Sequence, residues 1–303
     1  MKINAKKIKE FSISLGFSAC GITPAIELDD TLKKKYFEWI ENGYQGEMHY
    51  LENNIDKRIN PKILVSNAKS IVIVLLNYFP EKKQPTNIPQ VAKCAYGRDY
   101  HKVIKKKLKQ LFGYIKKDYP NLEGRYFSDS APVLERVWAV RAGLGWIGKN
   151  NLLINKKLGS FFFIGELILN VEFDEYDVFY STSHCGSCTK CIEACPTGAL
   201  KLYKLNAKKC ISYDTIELKD EKKSELDSTH GWIFGCDICQ DVCPWNSKLL
   251  PTSENDFKIN PFLLTATKED WLVLTNSQFE KIFYNSQLKR AGLMKIKNNL
   301  KKI

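Results

Sequence analysis

The stretch HCGSCTKCIEACPTGAL, residues 184–200, decides how this chain is organised. Its cysteines follow the spacing Cys-x2-Cys-x2-Cys-x3-Cys-Pro, and they are Cys185, Cys188, Cys191 and Cys195. Such spacing makes a tight loop in which three thiolates converge on one side of a multi-iron cluster, and the proline then ends the loop. The stretch therefore predicts an iron–sulfur site.

A second run of cysteines, CDICQDVCP, follows at residues 236–244. Ile233 occupies the place of its first cysteine, so we expect Cys210, the remaining thiol nearby, to supply that ligand. In the bacterial ferredoxin pattern, the fourth cysteine of a run binds the other cluster. We therefore expect cluster one to be held by Cys185, Cys188, Cys191 and Cys243. Cluster two is then held by Cys195, Cys210, Cys236 and Cys239.

Two other uses of these thiols fit the pattern less well. Disulfides are disfavoured in a cytosolic chain, because that compartment keeps thiols reduced. Zinc is satisfied by two pairs of ligands, so the third cysteine of the first run and the cysteine before Pro196 disfavour it. Two neighbouring clusters make an electron-transfer chain, and a freestanding ferredoxin needs only about 60 residues. The rest of this 303-residue chain must therefore use the electrons.

The composition is that of an ordinary globular protein with an excess of positive charge. There are 46 Lys and Arg against 34 Asp and Glu, a formal net charge of +12. This charge fits a polyanionic partner such as nucleic acid, and it equally fits a solvated, lysine-rich surface. No run reaches the roughly 20 apolar residues of a membrane span, and residues 1–17 lack the features of a signal peptide. We therefore expect a cytoplasmic protein without membrane contact.

Apolar periodicity predicts an α+β fold in three parts. Residues 1–178 are expected to form a mixed α/β domain, 179–250 a ferredoxin-like domain with two [4Fe–4S] clusters, and 251–303 a short helical C-terminal segment. The predicted helices are 6–15, 31–42, 103–118 and one that follows SDSAP and stops at Gly143. The predicted strands are 70–76, 125–128 and 159–170.

Motifs along nearly the whole chain resemble those of the epoxyqueuosine reductase family. They are GFSACGIT at 16–23, WIENGYQGEMHYLENN at 39–54, CAYGRDYH at 94–101, SDSAPVLERVWAVRAGLGWIGKNNLLI at 128–154, NPFLL at 260–264, SQLKRAGLMKIKNNL at 286–300 and both cysteine runs. The resemblance implies an enzyme that reduces epoxyqueuosine to queuosine at the wobble position of tRNA, the last step of queuosine biosynthesis. Many members carry a C-terminal helical-repeat extension, and this sequence resembles the short form without it.

The resemblance also implies that the N-terminal domain holds cobalamin, with the cobalt facing the clusters. Asp129, in SDSAP, matches the family's proton donor. Burial against residues 131–132 and the cofactor is expected to favour its protonated form, so that it can donate to the leaving oxygen. The alternative interpretation is structural, with Asp129 or Ser130 as the N-cap of the helix that follows.

Seven more residues match cofactor contacts of the family. Besides Asp129, they are Arg58, Cys94, Leu153, Ile164, Ser212, Cys236 and Asp237. The alternative interpretation of Arg58 is an ordinary surface arginine. The alternative interpretation of Cys94 is a small buried hydrophobic residue. Leu153 and Ile164 would contribute backbone groups, because we expect their side chains to lie in the hydrophobic core. Lys149 lies outside this set, with the cofactor's nucleotide tail or tRNA as its candidate contact.

The expected partners are the tRNA anticodon stem-loop and an external electron donor of the flavodoxin or ferredoxin type. We expect the chain to act as a monomer. Two alternative functions stay open at this point. The first is a corrinoid iron–sulfur reductase of another substrate, such as an organohalide, although the missing export signal argues against the respiratory examples. The second is a non-catalytic, ferredoxin-type electron carrier that binds no corrinoid.

Overall fold

The computed structural model describes residues 2–179 and 182–303. Its α-helices are α1 (Ala5–Ser14), α2 (Asp30–Glu41), α3 (Ile55–Ile59), α4 (Pro61–Leu64), α5 (Tyr100–Asp118), α6 (Glu135–Arg141), α7 (Lys190–Glu193), α8 (Ile211–Ile216), α9 (Ile238–Asp241), α10 (Lys268–Val273), α11 (Asn276–Ile282) and α12 (Leu288–Asn299). Its strands are β1 (Ala19–Pro24), β2 (Ser70–Asn77), β3 (Gln90–Val91), β4 (Gly124–Phe127), β5 (Trp146–Ile147), β6 (Leu153–Ile154), β7 (Phe162–Leu169), β8 (Leu200–Lys201), β9 (Lys204–Leu205) and β10 (Trp232–Phe234). Among the described residues, no helix is both long and apolar enough to cross a membrane.

The largest sheet has four antiparallel strands in the order β1-β2-β7-β4. β2 and β7 pair along their whole length, from Ser70 opposite Leu169 to Asn77 opposite Phe162. Antiparallel sheets often leave one face in water, and their strands then alternate apolar with polar residues. Both faces of this sheet are covered, which explains why SIVIVLLN and FFIGELIL are apolar almost without interruption.

Two hydrophobic clusters cover the two faces of this sheet. On one face, Val72 and Val74 pack with residues of α1 and α5. On the other face, Ile71 and Ile73 pack with residues of α6. This division follows from the strand's period of two, which sends neighbouring side chains to opposite faces. Gly165 of β7 allows α5 to approach closely, because a Cβ there would lie 2.6 Å from a side-chain carbon of α5.

The predicted helices and strands of the first half correspond to observed elements with small shifts. The strands predicted at 70–76 and 159–170 are β2 and β7, and the helices predicted at 6–15 and 31–42 are α1 and α2. α5 begins at Tyr100 rather than at 103, because the Asp99 side chain accepts the His101 backbone N–H and caps the helix. GLGWIGKNN is more than a connector, since it contains β5, which pairs with β6.

The loop that contains SDSAP differs from one interpretation made above. α6 begins only at Glu135, and its N-cap residue Leu134 makes no side-chain capping bond. Asp129 and Ser130 therefore lie well before the helix. The N-cap interpretation of these two residues is wrong. Helix capping therefore does not explain why an aspartate occupies position 129.

The C-terminal segment forms three helices, α10 to α12, which pack against other parts of the chain. A third hydrophobic cluster joins them to Val91 and Ile233. The side chain of Asn299, 1% exposed, donates to the Ile233 carbonyl at 2.8 Å. Gln287 donates to the Cys94 carbonyl at 2.7 Å. The segment therefore holds the loop around Cys94 against β10. The domain boundaries after residues 178 and 250 stay predictions.

Candidate active site and cluster sites

The first cavity gathers the four cysteines that we expect to hold cluster one. It has a volume of about 240 Å³, and its thiols come from Cys185, Cys188, Cys191 and Cys243. The Cys188 backbone N–H donates to the Cys185 carbonyl at 3.1 Å, which closes the tight turn between them. The loop is exposed at Gly186, Ser187 and Lys190, so this cavity lies close to the molecular surface.

The second cavity gathers the other four cysteines. Its volume is about 360 Å³, and its thiols come from Cys195, Cys210, Cys236 and Cys239. Cys210 is the N-cap residue of α8 and reaches the cavity from outside both cysteine runs. Ile233 is fully buried in the third hydrophobic cluster. Each cavity thus contains cysteines from both runs, which is the arrangement that the spacing predicts.

The chemistry of both thiol sets fits iron–sulfur clusters. Burial, followed by the charge of neighbouring thiols, raises the pKa of Cys239, so iron has to replace its proton. The thiols surround cavities and do not meet at one point. Indeed, within residues 2–179 and 182–303 no three His, Cys, Asp or Glu side chains are placed to share one ion. Four thiols around a cavity match a cluster of several irons better than a single zinc.

A buried lysine holds the loop of the first cavity. Lys149 lines this cavity and is 7% exposed. Its Nζ donates to the carbonyls of Gly186 at 2.7 Å and Cys188 at 2.9 Å. The structure therefore gives Lys149 a partner in the cysteine segment, where the sequence had pointed to a nucleotide tail or tRNA.

Another buried lysine lies beside the second cavity, and its partners are charged. Lys93 Nζ is 2.7 Å from an Asp241 carboxylate oxygen and 3.3 Å from Asp237 Oδ2. The Lys93 backbone N–H also donates to Asp237 Oδ2, at 2.7 Å. The positive charge of Lys93 is therefore neutralised by two carboxylates.

Four of the expected cofactor contacts line the second cavity, namely Cys94, Ser212, Cys236 and Asp237. Asn150 is a wall residue of both cavities, and its Nδ2 is buried without a hydrogen-bond partner among the described residues. A buried amide without an acceptor is rare in native proteins. A group bound in either cavity would supply that acceptor, so the walls fit bound cofactors.

The other three expected contacts lie elsewhere. Arg58 is buried and donates to the Tyr50 carbonyl at 2.8 Å, so the surface alternative for this residue is wrong. Leu153 is a core residue of β6. The carbonyl of Ile164 accepts from Ser128 Oγ at 2.8 Å. None of the three is among the residues that line the second cavity.

Asp129 lies in the loop after β4 and has a left-handed backbone, with φ of 48°. Such a conformation is uncommon outside glycine and has to be held by its surroundings. Tyr100 Oη donates to Asp129 Oδ2 at 2.8 Å, and the backbone N–H of Asp129 donates to the Glu135 side chain. The Asp129 side chain is 60% exposed, so residues 131–132 do not bury it as expected. The burial of the Asp129 carboxyl that the predicted proton-donor role requires would therefore have to come from bound groups.

Two carboxyls lie behind Asp129, and sequence reasoning missed both. Glu166 of β7 is fully buried opposite Phe127 of β4, and the charge of Glu135 acts on its carboxyl. Burial raises the pKa of Glu166 well above its usual range, and burial together with the Asp129 charge raises that of Glu135 to about 8. Two buried carboxyls whose charges repel each other do not ionise together, so the pair retains a proton. The signal in the sequence is Glu166 itself, which interrupts an otherwise apolar strand.

The charge of Asp129 acts on an ion pair at the wall of the second cavity. Glu217 lines this cavity, and one of its carboxylate oxygens is 2.7 Å from Arg290 Nη2. Burial raises the pKa of Glu217, Arg290 opposes this, and the charge of Asp129 adds to the increase. Asp129 is thus within electrostatic reach of the cavity wall. No local motif pointed to Glu217 or Arg290, which are 73 positions apart.

Comparisons with known proteins agree with this geometry. One family model, described as "4Fe-4S double cluster binding domain", matches residues 184–246, and another, "Epoxyqueuosine reductase QueG, DUF1730", matches residues 58–130. The epoxyqueuosine reductase of Cellulophaga algicola is 47% identical over 295 residues, which cover 97% of this chain and 95% of that protein. The chain belongs to the epoxyqueuosine reductase family. It is therefore an oxidoreductase, and the predicted iron–sulfur segment is confirmed.

Other epoxyqueuosine reductases extend the comparison. That of Leadbetterella byssophila is 46% identical over 301 residues, 99% of this chain and 98% of that protein. A crystal structure of an epoxyqueuosine reductase with an epoxyqueuosine-modified tRNA-Tyr stem loop has a TM-score of 0.89 and 30% identity. The match covers 97% of this chain and 79% of that chain. The predicted α+β fold is confirmed.

A more distant likeness extends beyond the epoxyqueuosine reductases. A reductive dehalogenase, whose structure suggests a mechanism for B12-dependent dehalogenation, has a TM-score of 0.51 and 15% identity. The match covers 80% of this chain and 32% of that chain. At this identity the likeness shows a shared fold only.

Proposed function

We propose that this chain reduces epoxyqueuosine to queuosine at the wobble position of tRNA, the last step of queuosine biosynthesis. The observation that carries the proposal is the second cavity. There, four predicted cluster ligands meet Cys94, Ser212 and Asp237, and the charge of Asp129 reaches the wall residue Glu217. A source of electrons and a source of protons thus converge. The solved relative with a modified tRNA stem loop supports the choice of substrate.

Cobalamin is the proposed reactive cofactor, and the wall of the second cavity fits such a group. It combines apolar Ala92 and Leu152 with polar Ser212 and the unpaired amide of Asn150. Ser212, Cys94, Cys236 and Asp237 would hold the cofactor on this side, with Arg58, Leu153 and Ile164 as further predicted contacts. When bound, cobalamin supplies a strongly reducing cobalt that the clusters can recharge.

The residues around Asp129 are suited to handle protons. Removal of the epoxide oxygen as water breaks two C–O bonds, forms a C=C bond and consumes two electrons and two protons. Tyr100 donates to Asp129 Oδ2, which leaves Oδ1 to carry a proton toward the departing oxygen. Glu135 accepts the Asp129 backbone N–H and so keeps this loop in its left-handed conformation.

A tRNA substrate also accounts for the net charge of +12. Contacts between Lys or Arg and phosphates release counterions, so tRNA affinity should fall steeply as salt rises. This reaction places the protein in the cytoplasm, with an external donor of the flavodoxin or ferredoxin type. We expect the working form to be a monomer.

The test uses purified protein with both clusters, incubated with cobalamin, dithionite and tRNA that contains epoxyqueuosine. We expect mass spectrometry of the nucleosides to show queuosine with cobalamin and none without it. Unchanged epoxyqueuosine from fully loaded protein would refute the proposal. A visible spectrum that cobalamin leaves unaltered would favour an electron carrier, and turnover of an organohalide without tRNA binding would favour the dehalogenase-like alternative.

A further inference from the structure

Lys149 is a buried cation at the wall of the first cavity. It follows β5 in the sequence GWIGKNN, and only 7% of the residue is exposed. Its two hydrogen bonds, of 2.7 Å and 2.9 Å, go to carbonyls of the loop that carries Cys185 and Cys188. The ammonium therefore lies against the peptide backbone that shapes this cavity.

This ammonium has no carboxylate partner in the part of the chain that the structure describes. In the described ranges 2–179 and 182–303, Lys149 is in no ion pair with a carboxylate at 4.0 Å or less. Removal of an ammonium from water costs several kcal/mol unless a counter-charge is close, and two neutral carbonyls offset only part of that cost. Four cysteines line the same cavity as Lys149. Once they ligate iron they carry negative charge, which makes the cluster the counter-charge that is otherwise missing.

We propose that Lys149 is the counter-cation of the first cluster and raises its reduction potential. Reduction transfers one electron from an external one-electron donor to the cluster, which gains one negative charge. A buried cation nearby favours that reduced form, because charges in the protein interior are weakly screened, and net charge sets cluster potentials. The proposal depends on the cluster assignment, and it is independent of the reaction on tRNA.

The competing role for Lys149 is positional only, with two hydrogen bonds that hold the loop and a charge without effect. Three substitutions separate the two roles. Lys149→Arg keeps the charge, Lys149→Gln keeps a donor without the charge, and Lys149→Met keeps neither. Lys190→Met, at an exposed lysine of the same loop, is the matched control.

The experiment uses the full chain with both clusters and needs no tRNA. Iron and sulfide are quantified, and a dithionite titration with redox mediators is then followed by electron paramagnetic resonance. We expect Lys149→Gln and Lys149→Met to move one of the two midpoint potentials to a more negative value and leave the other unchanged. Lys149→Arg and Lys190→Met should stay close to wild type.

Loss of clusters in a variant is also informative. If the neutral variants lose half of the iron while Lys149→Arg keeps all of it, the charge is needed to retain the cluster, and the proposal stands. The proposal is overturned if the neutral variants keep both clusters with both potentials unmoved. It is equally overturned if Lys149→Arg changes potential or iron content as much as Lys149→Gln does.

Discussion

The two cysteine cavities contain the same four-thiol chemistry in different surroundings. The first lies beside an exposed loop, and its lysine, Lys149, donates hydrogen bonds to two carbonyls of that loop. The second is walled by buried residues such as Asp237, and its lysine, Lys93, lies between two carboxylates. We propose that the first cluster receives electrons at the surface and that the second passes them to the proposed cofactor.

The contrast teaches that the two lysines, which lie outside the cysteine runs, distinguish the two sites, because carboxylates of the second run neutralise only Lys93. A cation without a counter-charge favours the reduced state of the first cluster, whereas a neutralised cation leaves the second less affected. With the proposed role of Lys149, the first cluster is reduced readily. The second cluster then takes electrons from the first as the active site consumes them. The predictions below test this division of roles.

The largest effects should come from removal of single cysteines. Cys195→Ala and Cys210→Ala should lose one cluster, and Cys185→Ala and Cys243→Ala the other, because each cavity combines cysteines from both runs. Iron analysis and electron paramagnetic resonance identify the cluster that survives, and Cys20→Ala is the control with both retained. A Cys195→Ala variant that resembles Cys185→Ala would show that the assignment across the runs is wrong.

The next largest effect should be on turnover alone. Asp129→Asn keeps the acceptor for Tyr100 but has no acidic proton, so we expect turnover to fall about 10²–10⁴-fold. Both clusters and cobalamin binding should be retained, as checked by spectroscopy beside single-turnover nucleoside analysis. Ser130→Ala, at an exposed neighbour in the same loop, should keep normal turnover. Normal turnover in Asp129→Asn itself would exclude a proton-donor role.

The two lysines should differ in their contribution to stability. Lys93→Met leaves the carboxylate of Asp237, whose side chain is 3% exposed, without its partner. We expect a loss of about 3–5 kcal/mol in the free energy of unfolding, measured in urea by tryptophan fluorescence. Lys149→Met should cost less, because its partners are neutral carbonyls. Addition of Asp237→Asn to Lys93→Met should restore part of the loss, and equal losses at the two lysines would contradict the contrast.

The smallest effect should come from the carboxyl pair behind Asp129. Folding raises the pKa of Glu135 from its usual 4.5 to about 8, so the folded chain binds this proton more tightly than the unfolded chain. The contribution of Glu135 to stability should therefore be complete below pH 4.5 and decrease as the pH rises through about 8. The amide in Glu166→Gln cannot ionise, so this variant should lose less, by about 1 kcal/mol at pH 8. If wild type and Glu166→Gln lose thermal stability in parallel as the pH rises, the two carboxyls do not share a proton.

Local patterns in the sequence predicted the parts of the fold that depend on neighbouring residues. Strands β2 and β7 follow from runs of apolar residues, and the first cysteine loop follows from ligand spacing. Cys210 was identified by elimination, and the structure places it with the three thiols expected. The start of α5 was missed because the Asp99 cap lies outside the apolar repeat.

Long-range pairings could not be predicted in the same way. Lys149 and Gly186 are 37 positions apart, and a lysine in GKNN has the same local pattern whether it ends in water or against a cysteine loop. Glu135 and Glu166 come from a helix and a strand whose packing no local motif specifies. The exposure of Asp129 also depends on how loops from several segments meet.

The hydrogen bond from Gln287 to the Cys94 carbonyl spans 193 positions, and it has a consequence for biogenesis. A ribosome delivers both cysteine runs well before it delivers α12, which is needed to hold the Cys94 loop and β10 in place. The second cavity therefore reaches its final form only late in synthesis, after the thiols of the first have been available for some time. We therefore expect cluster insertion to become possible at the first site before it is possible at the second.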